Sequence, residues 1–239
     1  VFGGGGLNEK AAIWRAAGGG TAKISTAAID NVIQSTTADE IDDIYSTTYA
    51  ENGGYFVSFH LTDRTFTYDT AASVLSGKPV WHERKSKDSF GGLTNWRVNH
   101  IIDAYGVTLV GDNQSGSIGQ LDRTVYTEYG NSINRVVSTQ PFNGQGRRVT
   151  VSDMELTCES GTATVTGAGS DPHISRSFSD DGGYTFGNET ARSLGKQGDY
   201  KQRQIWRKEG QFERTRVYRF VHDEPIKAGI FKFEAEMTA

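Results

Sequence analysis

The sequence predicts an all-β protein of the β-propeller type, built from four-stranded antiparallel blades, with one short helix near the N-terminus. Three observations carry that reading. Short alternating strands separated by turns run from residue 42 to the end of the chain. They fall into units that begin near residues 42, 96 and 149, and a four-stranded unit recurring every ~40–50 residues is the sequence signature of propeller blades. The stretch from Ser179 to Phe186 also spells out a hairpin motif common in such folds.

The N-terminal segment, 1–41, is different. Gly3 to Gly6 and Gly18 to Gly20 bracket Ala11-Ala-Ile-Trp-Arg15. Glycine loses the most backbone freedom on ordering, so the two runs read as loops or a tether around one short strand. They do not form a phosphate cradle, because Gly5-Gly-Leu-Asn-Glu-Lys10 breaks the Gly-Lys-Ser/Thr ending that such a loop requires. Thr26 to Ser35 places Ala28, Ile29, Val32 and Ile33 at helical spacing behind a Thr26 cap, and it is the one convincing helix.

The first blade, 42–95, holds strands at Ile44 to Tyr49, Tyr55 to Leu61, Thr65 to Asp69 and Val80 to Arg84, with turns at Asn52-Gly-Gly and Thr62-Asp-Arg. A second, 96–148, holds Val98 to Ala104, Val107 to Gly111, Gln120 to Tyr126 and Ile133 to Thr139. A third, 149–239, runs through Val149 to Cys158, His173 to Phe178, Tyr184 to Phe186 and Gln204 to Trp206. Trp81-His-Glu-Arg-Lys85 and Trp206-Arg-Lys-Glu-Gly210 look like one outer-strand motif in two units. Arg214 to His222 and Ile226 to Glu236 begin a further blade or close the ring, which need not be complete within this chain. A β-sandwich with irregular strand spacing is the competing architecture.

Composition narrows the function classes. Aromatics at 11%, charged residues at 23% and 29 glycines describe a folded, turn-rich chain of 239 residues. Its apolar runs are too short to span a bilayer as a helix, and its opening residues do not read as a secretory leader. Cys158 is alone, which excludes an intrachain disulfide and suits assembly in a reducing cytoplasm. Asn113-Gln-Ser and Asn188-Glu-Thr match the glycosylation pattern by chance on that reading.

The net charge of −4 is unevenly spread. Ile24 to Asp63 contains Asp30, Asp39, Glu40, Asp42, Asp43, Glu51 and Asp63 with no Lys or Arg. Arg192 to Arg219 contains Lys196, Lys201, Arg203, Arg207, Lys208, Arg214 and Arg216 besides its two ends, against Asp199, Glu209 and Glu213. Either these are two solvated faces, or the acidic face, with Asp39, Asp42 and Asp43, and the basic one, with Arg203, Arg207 and Arg214, are docking surfaces. The weak overall charge argues against a dedicated duplex-binding domain.

Ser179-Asp-Asp181-Gly-Gly183-Tyr-Thr185-Phe186 fits the Asp-box pattern Ser-x-Asp-x-Gly-x-Thr-aromatic. Its logic is a tight hairpin: the Asp181 carboxylate accepts amides across the turn, Gly183 takes a positive φ, and Phe186 tucks its ring beneath the turn. The motif is structural, and we expect no catalysis by Asp181.

No catalytic or metal constellation emerges elsewhere. His60, His82, His100, His173 and His222 lie on separate segments without ligand spacing, and Gly116-Ser-Ile-Gly119 lacks the nucleophile-elbow spacing. The enzyme alternative is a sialidase-like glycosidase, in which propeller and Asp box coincide, but such enzymes carry several Asp boxes, an arginine triad and a Tyr–Glu pair. One clear Asp box is present here. A generic propeller scaffold is the other alternative. No cofactor is implied.

Ser179 to Asn188, Ser193-Leu-Gly-Lys-Gln-Gly-Asp-Tyr-Lys-Gln-Arg203, Ile205-Trp-Arg207, Arg214-Thr-Arg-Val-Tyr-Arg219 and Pro225-Ile-Lys-Ala-Gly-Ile230 together resemble a stretch common in phage tail and neck proteins. Lys23 to Ile29, Arg64 to Thr70 and Trp81 to Arg84 extend the resemblance upstream. It is to the packaged-DNA stabilisation, or tail-hub, family of short-tailed phages. It covers nearly all of the chain after the first twenty residues, and the order of the motifs carries it. The resemblance implies a propeller subunit in a homo-oligomeric ring, six-fold by analogy, below the portal or its adaptor. There it would close the head after packaging, meet the tail needle or tailspikes, touch passing DNA at most in transit, and avoid membranes. Family members are usually longer, so the chain reads as a C-terminal part.

Overall fold

A computed structural model describes residues 2–3 and 11–238. The Gly4 to Lys10 part of the glycine-rich opening, read above as a loop, lies outside the described residues. The chain divides into two units, 1–122 and 123–239, each with its own core.

The first unit opens with β1 (Phe2–Gly3), β2 (Ala12–Ala17) and β3 (Gly20–Lys23), an antiparallel sheet in that order. The segment read as a single strand is therefore a hairpin, turned at Gly18 and Gly19 with φ of 55° and 91°. Helix α1 (Ala27–Ser35) starts where Thr26 caps it and turns Ile29 and Ile33 inward. A second helix, α2 (Ala38–Asp42), follows at once. Thr37 and Glu40 close a reciprocal capping box on it, a signal that the expectation of one helix overlooked.

Strands β4 (Tyr45–Glu51), β5 (Gly54–His60), β6 (Thr65–Asp69), β7 (Val80–Lys87) and β8 (Leu93–Asn95) form a meander in chain order. The loop expected between β6 and β7 contains a third helix, α3 (Thr70–Ser76), capped by Asp69 Oδ1 on Ala72 N at 2.8 Å and ended by left-handed Gly77. One face of the meander packs Phe59, Leu61 and Tyr68 on Ile13, Ile29 and Ile33. The other face is polar along its middle: Ser58, His60, Thr65 and Thr67 are fully or almost fully buried there. Tyr49 continues that face into a cluster with Trp96, Val98 and Val110.

Those last residues introduce β9 (Val98–Ala104), β10 (Val107–Asp112) and β11 (Ile118–Gln120), a three-stranded sheet ordered β11-β10-β9. Arg97 and Asp112 pair inside it at 2.7 and 2.5 Å, with side chains 9% and 0% exposed. The two meanders meet through β4 and β9 and the Tyr49–Trp96 cluster, and they hold five and three strands where the spacing predicted four in each.

The second unit holds β12 (Thr127–Glu128), β13 (Asn131–Ser132), β14 (Arg135–Ser138), β15 (Phe142–Asn143), β16 (Val149–Cys158), β17 (His173–Ser179), β18 (Thr190–Ser193), β19 (Gln204–Phe212), β20 (Thr215–His222) and β21 (Ile230–Thr238). One sheet is ordered β14-β20-β17-β18, with β15 also on β20, and the other β19-β16-β21. Met154 and Leu156 of one sheet share a core with Ile174, Tyr218 and Phe220 of the other. This is a two-sheet sandwich rather than another blade. Local pattern could not reveal it, because β14 pairs with β20, some eighty residues away. The strand read over Ile133 to Thr139 accordingly sits in the sandwich and not beside β11.

Candidate functional site

Strand β17 ends at Ser179, and the loop to β18 is the Asp box. Asp181 Oδ1 accepts Tyr184 N at 2.9 Å and Thr185 N at 3.0 Å, while Oδ2 accepts Thr185 Oγ1 at 2.5 Å. Ser179 Oγ donates to Asp181 Oδ1 at 2.6 Å and accepts Gly183 N at 2.8 Å. Gly182 and Gly183 have φ of 87° and 99°, so a side chain at either would be strained in open space. Hydroxyl bonds from Ser179 and Thr185, then the loop amides, hold the Asp181 carboxyl well below the usual carboxylate range. The five predicted box residues thus occupy one turn, and every Asp181 bond is internal to it. Phe186 has a partner that the motif did not suggest. Its ring lies against the guanidinium of Arg219, 3.8 Å from carbon to centroid.

Sequence reading missed the arginines around this turn. Arg216, 2% exposed, donates to Asp180 through Nε at 2.6 Å and Nη2 at 2.7 Å. The same guanidinium reaches the carbonyls of Glu209 at 2.7 Å and Gln211 at 3.0 Å on the opposite sheet, and lies over the rings of Phe178 and Phe212. Arg176 pairs with Glu209 between the sheets, their side chains 7% and 3% exposed. Burial raises the Glu209 carboxyl and lowers Arg176 despite their mutual attraction. One signal was available: Arg216, Tyr218, Phe220 and His222 alternate as one face of β20, and an arginine in phase with three large core residues is a buried arginine.

The charged candidates are dispersed. Asp39 and Asp42 are exposed on α2, and Asp43 is exposed as its C-cap. Arg203 grips Glu155 in bidentate fashion at 2.8 and 2.5 Å, and Arg207 lies 3.9 Å from Asp153. Both are therefore partly neutralised by neighbours within their own sheet. Arg214 is exposed, and its carbonyl accepts Gly144 N.

In the first unit, Tyr45, Ser46, Thr48, Asn99 and His100 line a cleft of about 330 Å³ between β4 and β9. Beside it, His60 stacks between Tyr45 at 4.4 Å and Trp96 at 5.8 Å, and bonds Thr47 and Thr65. Burial, reinforced by the Arg84 charge, pushes the His60 imidazole down to about 4. Burial pushes the Cys158 thiol up to about 12, the protonated and inert form. Among the described residues no group of three or more His, Cys, Asp and Glu is placed to hold a metal ion. No helix among them is long and apolar enough to cross a membrane.

Residues 1–126 match the family model described as bacteriophage P22 Gp10, β-propeller, and residues 134–238 match its companion, bacteriophage P22 Gp10, β-sandwich. The two matched spans correspond to the unit of meanders and the two-sheet unit. This is a structural protein of the phage virion, of the tail-hub class that stabilises packaged DNA. The chain belongs to the bacteriophage P22 Gp10 family. The comparison with curated proteins finds no match. Among solved structures, a glycoside hydrolase family 43 arabinoxylan arabinofuranohydrolase from Bacillus subtilis, in complex with cellotetraose, is similar at 9% identity and a TM-score of 0.17. That match covers 78% of this chain and 53% of the hydrolase, so the chain spans about half the length of that relative. The likeness is too slight to bear on activity.

Proposed function

We propose that this chain is a head-closing tail-hub subunit that assembles with five further copies into a ring beneath the portal or its adaptor. The ring keeps packaged DNA in the head and presents the tail needle or tailspikes with their seat. Assembly takes place in the cytoplasm of the host bacterium, contact with DNA is limited to its passage, and the chain does no catalysis. The observation that carries this reading is the match of both units, in order, to the two domains of one phage structural family.

The chemistry is consistent with it. A closed ring is built from heterologous contacts, in which two different patches meet. The exposed Asp39, Asp42 and Asp43 in one unit and Arg203, Arg207 and Arg214 in the other supply patches of opposite sign. Arg203 and Arg207 would exchange Glu155 and Asp153 for the incoming acids, so the gain lies in orientation and association rate more than affinity. The polar groups of the Asp box are consumed in bracing its turn, which suits a scaffold.

The test is native mass measurement of the full chain, alone and with isolated DNA-filled heads. A closed ring that stops DNA release from the heads is the expected result. A chain that stays monomeric with heads present, or binds them without slowing release, would overturn the reading.

A further inference from the structure

Arg219 differs from the exposed cations of the second unit in being half-buried, and from its other buried or ion-paired arginines in what it touches. Arg148, Arg176, Arg203 and Arg216 each hold a carboxylate, and Arg135 and Arg192 each hold a backbone carbonyl. Arg219 holds neither. Its guanidinium rests on Phe186, and its Nε is shut off from solvent without a hydrogen-bond partner. The side chain as a whole is half-buried, so its Nη edge remains open to solvent.

The surroundings are built for one charge. Arg219 sits on β20 directly between Ser138 of β14 and Ser177 of β17. Ser177 is fully buried, and its Oγ also lacks a partner. One step along the same face, Val136 pairs with Val221, and Val221 with Ser175. The face is therefore serine and valine around a single arginine, and the Asp box holds the ring on which that arginine lies.

We infer that Arg219, clamped by Phe186 and flanked by Ser138 and Ser177, is a docking site for one carboxylate side chain of a neighbouring virion protein. A planar guanidinium fixed by an aromatic ring presents its Nη edge for bidentate recognition, and the exposed Ser138 hydroxyl supplies a further donor. A lone arginine among small apolar side chains is also the composition of an interface anchor. A nucleic-acid track needs a row of cations to follow successive phosphates, and this face offers one. The site is a property of the second unit and does not depend on the ring proposed above. It gives the Asp box a role beyond closing its own hairpin, since the box aims Phe186.

The experiment follows the Arg219 Nε–Hε resonance of the full chain while sodium acetate replaces sodium chloride at constant ionic strength, with a short DNA duplex in a parallel titration. We expect a saturating shift with acetate that is seen also at the backbone amide of Ser177, the cross-strand partner of Arg219. Arg219→Lys abolishes it at that amide, and Phe186→Leu weakens it about tenfold, the loss of one well-placed contact. Circular dichroism checks that both variants are folded. A shift that stays linear and equal to that of exposed Arg214 would overturn the site. Tighter saturation by the duplex would assign it to nucleic acid instead. Glu189 is an exposed carboxylate three residues after Phe186, so Glu189→Gln is the control for an internal partner. If acetate binds only in that variant, Arg219 is an internal partner of Glu189 and the inference fails.

Discussion

Arg216 closes on Asp180 with two bonds of 2.6 and 2.7 Å while its own backbone belongs to the neighbouring strand β20. Because the same guanidinium also holds two carbonyls of the opposite sheet, one side chain fastens the Asp-box turn to both halves of the sandwich. The rings of Phe178 and Phe212 beside the guanidinium help to exclude water from those bonds, which strengthens them.

Replacing Arg216 with Met should therefore be costly although the volume is partly kept. It strands the buried Glu209 carbonyl without a partner, at about 1–3 kcal/mol, and removes a partner from the part-buried carbonyl of Gln211 at a smaller cost. Asp180 is 44% exposed and can rehydrate, so little is added for its lost partner. We expect a total of about 3 kcal/mol from urea unfolding followed by Trp206 fluorescence. Lys at 216 should recover less than half, because it reproduces the charge but not the fork. Equal stability of wild type and Arg216→Met would show that the clasp is incidental.

Asp181 is predicted to matter for the turn and for nothing chemical. Asp181→Ala frees the amides of Tyr184 and Thr185 to water, so the loss should be modest, a fall in melting temperature of about 5 °C. Asp181→Asn should fall between, keeping one acceptor. Calorimetry reads both, and a variant as stable as wild type would remove the structural role.

The buried pair of Arg176 and Glu209 makes a different prediction. Burial works against both charged forms here, and Glu209 Oε2, Arg176 Nε and the nearby Tyr218 hydroxyl have no hydrogen-bond partner. Removing one member leaves a buried charge unopposed, so Arg176→Met and Glu209→Met should each cost about 3–5 kcal/mol. The double variant should lie within about 1 kcal/mol of wild type, because the desolvation of both ions disappears together. A double-mutant cycle with additive losses would contradict this account.

The all-β class, the first meander and the Asp box were legible because each is local. Thr65 to Asp69 and Val98 to Ala104 are strands with the limits their alternation gave. The sandwich was not legible, since it depends on β14 finding β20 and β16 lying between β19 and β21, pairings that no window of twenty residues contains. Helix α3 was hidden by the turn residues that end it: Gly77 and Pro79 suggest a loop, and the short Thr70-Ala-Ala-Ser-Val-Leu-Ser76 run has no apolar stripe. The acidic and basic stretches were visible as charge, but the acids that answer Arg203 and Arg207 lie about fifty residues upstream on β16.

The last prediction concerns acid sensitivity of the first unit. His60 is 1% exposed, stacked between Tyr45 and Trp96, and its imidazole is pushed from 6.5 down to about 4. The folded state thus refuses a proton that the unfolded chain accepts. The stability tied to neutral His60 is complete above about pH 6.5 and is lost as pH falls from there through about 4. At about 1.4 kcal/mol per pH unit the whole shift amounts to about 3 kcal/mol. Carboxylates held low, such as Asp112 beside Arg97, act below that window, because their unfolded values lie near 4. Within the first unit, between about pH 6.5 and 4.5, the slope of unfolding free energy against pH therefore reports histidine. In the second unit the lowered His222 and the raised Glu209 contribute with opposite signs. His60→Gln keeps a polar group facing Thr47 and Thr65, costs some stability at neutral pH through the lost stacking, and should flatten most of that slope. His82 is an exposed residue of β7, so solvent screens the downward shift that desolvation by its surroundings and the Arg84 charge impose, and its share of the slope is small. Urea titrations across the window give the slope, and the His60 Hε1 resonance gives the titration directly. If that resonance titrates near 6.5 in the folded protein, the buried neutral imidazole is the wrong description of this blade.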